Sequence, residues 1–153
     1  IRDEEEDERF YQMNREEAIR WLEQSKSDLK SSRWSLQSGP PFNAMACFHS
    51  HQVLEKCLKA MFFYYCGISG QLLGSHEVEE LADVLKKETG RPNEAVMESV
   101  RKLPKYRYYL GTRYPNCQPF NIVPAEAFDK NEAEMAVDAA TKVLGYVKDC
   151  LKE

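Results

Sequence analysis

The chain has 153 residues, with 25 acidic and 21 basic side chains and a formal charge of −4. A chain of that length can bury roughly 70% of its unfolded surface, enough for one domain with its own core. No apolar run approaches the ~20 residues of a membrane span and no secretory leader is expected. The five cysteines lack the spacing of a disulfide framework, which fits a reducing, cytoplasmic location. Ile1-Arg2-Asp3 in place of an initiator methionine is expected of a segment of a longer protein.

Charge is unevenly spread. Residues 1–17 carry eight acids against three bases, whereas no acid occurs between Glu98 and Glu126. Arg101, Lys102, Lys105, Arg107 and Arg113 lie inside that gap, so the basic character is local.

In chain order, Asp3 to Glu8 is a like-charge block, read as part of an acidic linker or tail over residues 1–13. The folded domain is expected over 14–153. A first helix is predicted from near Asn14, with Ala18, Leu22, Ser25, Leu29, Ser32 and Leu36 on one stripe. The small residues in that stripe would let a neighbouring helix approach closely. Trp21 and Trp34 flank it and are assigned to core or interface. Gly39-Pro40-Pro41 ends the helix, and Asn43 is placed to cap the next.

Asn43 to Cys66 is apolar around most of its circumference, which marks a central helix covered on several sides. His49, Gln52, Lys56 and Lys59 form its narrow polar stripe. Ser75 is predicted to cap a third helix with Glu77, Glu79 and Glu80 in its first turn, closed by Thr89-Gly90-Arg91-Pro92. A short fourth helix runs from about Asn93 to Leu103, with Ala95, Val96, Val100 and Leu103 inward. Lys105 to Ala125 is proline-punctuated and reads as a long, mostly irregular loop, a kind that tends to carry function. Asp129, with Glu132 three residues on in the manner of a capping box, opens a last amphipathic helix. The fold class is all-α, a bundle of about five helices.

Metal chemistry is not supported: Cys47 and His51 can share a helix face, but no third ligand stands at a recognisable spacing. Nucleophile motifs and glycine-rich phosphate cradles are missing as well. What remains is Lys105-Tyr-Arg-Tyr-Tyr109 followed by Gly111-Thr-Arg-Tyr-Pro115. Arginine can fork onto a phosphate, lysine adds a point charge, and a tyrosine ring can stack on a base. Lys105, Arg107 and Arg113, helped by Lys56 or Lys59, are thus the phosphate candidates, and Tyr106, Tyr108 and Tyr109 the stacking candidates. The alternative is that the tyrosines anchor the loop on the bundle while the charges sit in water.

Gln52-Val-Leu-Glu-Lys-Cys-Leu-Lys-Ala60 resembles the second-helix signature of the HEPN family (higher eukaryotes and prokaryotes nucleotide-binding domains). His76-Glu-Val-Glu-Glu-Leu81, Arg113-Tyr-Pro115 and the alanine-spaced last helix also fit it, so the resemblance spans roughly residues 14–152. It implies homodimers and, in some members, binding of GTP or ATP with no further cofactor. It extends to HEPN domains of large co-chaperones, which implies chaperone machinery as a partner. Many members cleave RNA with Arg-x(4–6)-His, but the last histidine here is His76, so neither Arg107 nor Arg113 has one downstream. General acid–base cleavage needs a group titrating near neutrality. The expectation is therefore a non-catalytic domain without a nucleic-acid partner, the alternatives being a docking module with no small ligand or a degenerate ribonuclease.

Overall fold

The computed structural model describes residues 3–67 and 77–152. Five α-helices occur among them: α1 (Glu4–Gln37), α2 (Asn43–Cys66), α3 (Val78–Thr89), α4 (Glu94–Arg101) and α5 (Lys130–Cys150). No strand occurs among the described residues. The expected cap at Ser75 lies outside them.

α1 begins ten residues before the predicted start. Asp3 accepts a hydrogen bond from the Glu6 N–H at 2.8 Å, and Glu4, Glu5, Glu6 and Asp7 occupy the first turn. Carboxylates at the positive end of a helix are stabilising, which offsets their mutual repulsion. The expected tail is therefore a helical arm, exposed along most of its length.

α1 and α2 pack antiparallel, as the successive contacts Trp21–Phe63, Ser25–Cys57 and Ser32–Ser50 show. Ser25 and Ser32 are fully buried in this seam. The Ser32 hydroxyl donates to the Ala46 carbonyl at 2.9 Å, so the small polar residues bring the helices close without leaving a donor unmet. α5 lies parallel to α2, with Asn43 bonded to Phe128 at one end and Tyr65 to Cys150 at the other. Its Ala133, Ala136, Ala139 and Ala140 are buried. α3 also packs on α2, and α4 on α5.

Several local expectations change. The 3-10 turn Pro40–Phe42 runs directly into α2, so Asn43 is already helical and its amide donates to the Phe128 carbonyl at 3.2 Å instead of capping. Trp21 is half-buried against Phe63, but Trp34 is 63% exposed and not in the core. In α4, Met97 turns inward in place of the expected Ala95. The cap at Asp129 forms as predicted, accepting from the Glu132 N–H, and Asn93 caps α4 in the same way from the Val96 N–H. Gly90 closes α3 at φ +75°, a conformation that glycine adopts without strain, with its N–H bonded to Lys86.

Lys59 leaves the polar stripe of α2. Its ammonium pairs with Glu55 at 2.8 Å, with both side chains almost wholly buried, and lies 5.5 Å from the Trp21 ring. Removing one member of such a pair strands the other charge in the interior. Lys59→Met should therefore lower stability by about 3 kcal/mol in urea titration, far more than an exposed lysine would.

Candidate anion-binding site

The basic, tyrosine-rich segment is ordered. Tyr106–Leu110 forms a single π-helical turn, closed by the Gly111 N–H on the Tyr106 carbonyl at 2.8 Å. Gly111 is required there because an added Cβ would lie 2.6 Å from the Arg107 carbonyl oxygen. The turn rests on the first half of α2 through Tyr109, whose ring is 6.1 Å from Phe48 and 5.8 Å from His51. Short 3-10 turns at Pro115–Cys117 and Pro124–Glu126 carry the chain on to α5.

The predicted phosphate ligands separate into distinct roles. Arg107 forks onto Glu132, with Nε 2.8 Å from Oε1 and Nη2 2.6 Å from Oε2. It also donates to the Ala127 carbonyl and stacks over Phe128 at 4.4 Å. That pairing holds the guanidinium pKa above its usual value. Glu132 is thereby committed to Arg107, so only the Asp129 half of the expected capping box exists. Arg107 ties the loop to the start of α5, and it is a structural cation rather than an available one.

Lys105 faces Glu77 at 3.3 Å, in a cleft of about 280 Å³ that Glu77 and Glu79 also line. Two carboxylates make that cleft unfavourable for a phosphate. Tyr108 is buried beside Phe128, and burial pushes its hydroxyl pKa well above the ordinary value. It is an anchor, as the alternative reading of the loop has it. Lys56 is paired with Asp28 of α1 and lines a cleft with Glu17, Arg20 and Trp21, none of them from the loop. Neither Lys56 nor Lys59 is brought to the loop's cations.

Arg113 differs from the rest. Its guanidinium lies over Phe48, Tyr109 and Tyr114 at 4.5, 4.5 and 4.9 Å. Nε donates to the Tyr109 carbonyl at 3.0 Å, and among the described residues no carboxylate is within ion-pair distance. Among the described residues neither Nη nitrogen has a hydrogen bond or an ion pair. Tyr106, 64% exposed, and Tyr114, 46% exposed, supply open rings nearby in the chain. Sequence reasoning missed Tyr114 as a cradle residue and Phe48 as the floor, because both act through contacts between elements.

Other chemistry has less support. Burial raises the thiol pKa values of Cys47 and Cys57 to about 12, far from a reactive thiolate. Among the described residues no group of three His, Cys, Asp or Glu side chains is placed to hold a metal ion. No helix among them is long and apolar enough to cross a membrane.

An antiparallel α1–α2 pair, covered by α5 and buttressed by a short basic loop, defines a class of small helical bundle. The chain belongs to the HEPN domain family, which matches residues 18–150. It is similar to TT1696 from Thermus thermophilus, at 32% identity and TM-score 0.74, with 86% of this chain and 96% of that one covered. The fold is shared with ST0689, an archaeal HEPN homologue, at 22% identity and TM-score 0.67 over 88% and 97% of the two chains. None of the curated proteins matches. The helical arm Glu4–Met13 precedes the matched residues.

The division of labour between the two arginines is directly measurable. Arg107→Ala should cost about 1–2 kcal/mol of stability in urea titration, because it leaves the mostly buried Glu132 without its fork. Arg113→Ala should cost less, since it strands no carboxylate.

Proposed function

We propose that this HEPN domain is a non-catalytic module that binds a nucleoside triphosphate, GTP or ATP, and pairs as a homodimer within a large cytoplasmic co-chaperone. The observation that carries the nucleotide reading is Arg113, a cation held rigidly by three rings with its Nη donors uncommitted. Arginine presents two parallel N–H bonds to a phosphate, and a tyrosine face stacks on a base regardless of its identity.

The magnitudes set the expected affinity. A charge-assisted contact contributes about 1.5–3 kcal/mol and one stacked base about 1–3 kcal/mol, before the cost of immobilising the ligand. One copy should therefore bind in the upper micromolar to millimolar range.

The co-chaperone part rests on the order of the motifs, which resembles the C-terminal HEPN domain of sacsin, a very large cytoplasmic protein with chaperone-like and J-domain regions. Support for the non-catalytic reading comes from the histidines. None follows His76 to complete Arg-x(4–6)-His, His51 is fully buried, and burial lowers the pKa of His49. A second reading, a docking module with no small ligand, is favoured by the open Trp34 surface.

Calorimetric titration with GTP and ATP separates the two. Heat should appear with the wild type and fall at least tenfold in apparent affinity for Arg113→Ala, while thermal unfolding shows a folded bundle. No heat from the wild type at millimolar nucleotide would leave only the docking module.

A further inference from the structure

α1 leaves the indole of Trp34 63% exposed. Its ring meets Phe42 edge-on at 5.7 Å, and with Met45 the two make the apolar wall of a cleft of about 630 Å³ between α1 and the start of α2. That volume is within the range of small-molecule sites. The rest of the lining is polar: Lys30, Ser31 and Ser35 from α1 and His49 from α2. Lys30 and Trp34 are four residues apart, as are Ser31 and Ser35, so each pair stands on one face of α1.

None of the four polar side chains is committed within the protein. Among the described residues Lys30 makes no ion pair, and no hydrogen bond involves the hydroxyls of Ser31 and Ser35 or the ring of His49. Ser35 is only 4% exposed, yet it lines the cleft. A buried hydroxyl without a partner is costly until something in the cleft meets it. Burial lowers the pKa of His49, so at neutral pH its ring offers one donor and one acceptor and no charge.

Charge selects the ligand. The cleft beside Trp21 is lined by Glu17 and Glu23, and the one at Lys105 by Glu77 and Glu79. This lining has one cation and no carboxylate. An aromatic cation would stack on Trp34 only by approaching Lys30. A triphosphate calls for several cations, and a single lysine stands here. A planar ring with one carboxylate satisfies the whole lining, the ring against Trp34, Phe42 and Met45 and the carboxylate on Lys30 and the free hydroxyls.

We propose that this cleft binds a small aromatic carboxylate, at a site distinct from Arg113. The inference stands apart from the nucleotide reading.

Indoleacetate is the probe, with its uncharged amide, indoleacetamide, and the cation tryptamine as comparisons. Proton–nitrogen correlation NMR reads the indole N–H signals of the two tryptophans, Trp34→Phe assigns them, and Trp21 is the internal control. Indoleacetate should shift the Trp34 signal along a saturating curve and leave Trp21 in place. It should bind at least threefold more tightly than indoleacetamide, the size of a partly exposed charge contact, and tryptamine should bind more weakly than either. Lys30→Gln, at an exposed position, should erase the preference for the acid and keep the affinity for the amide. Ser35→Ala should weaken indoleacetate binding without lowering the unfolding temperature, because it breaks no bond within the protein. Lys130→Gln, on α5, should change nothing. The comparison of the three probes on the wild type decides the matter even if a variant fails to fold. No Trp34 shift at millimolar indoleacetate, or an equal shift of Trp21, overturns the site and returns the exposed ring to the docking reading. Tryptamine binding as tightly as indoleacetate, or a preference for the acid that survives Lys30→Gln, overturns the assignment of a carboxylate.

Discussion

The whole bundle depends on the burial of α2. A helix with apolar residues on nearly every side is unstable in water, and its cost is removed only when neighbours cover it all round. α1 covers one side along a serine-lined seam, α5 another along an alanine-rich one, and α3 and the π-helical turn the remainder. Small side chains in both seams let the backbones approach closely. The buried hydroxyl of Ser32 then needs a carbonyl in reach, and α2 supplies it from Ala46. Even the charges inside obey this constraint, since Lys59 is paired with Glu55 within α2 itself.

What is legible in the sequence is what is decided locally. The cap at Asp129 depends on a side chain reaching an N–H three residues away, and it appears as read. Helical period identifies α2 and α5 for the same reason. The start of α1 is harder to read, because a run of acids suggests repulsion until its position at a helix N-terminus reverses the balance. Asn43 looks like a cap in the sequence, yet the preceding turn leads straight into the helix and frees its amide for a carbonyl 85 residues away.

The site shows the same limit more sharply. A gap of acids along the chain is not a gap in space. Glu77 and Glu132 lie on either side of it in sequence, yet the fold brings them to Lys105 and Arg107. Nothing in the spacing of Lys105, Arg107 and Arg113 distinguishes the paired cations from the open one. The fold makes the distinction, the π-helical turn directing Arg107 toward α5, while Arg113 beyond it lies over Phe48 of α2 and the loop's own Tyr109 and Tyr114.

That geometry also connects the two proposed sites. Phe48, the floor under Arg113, meets the ring of His49 at 5.4 Å, and His49 lines the cleft with Trp34 and Phe42. The anion site and the aromatic cleft therefore share the opening turns of α2. Any free energy by which a ligand in the cleft alters Arg113 must reappear as an equal effect of the anion on that ligand. Coupling between them requires no long path through the core, because Phe48 and His49 are neighbours in the chain and belong one to each site.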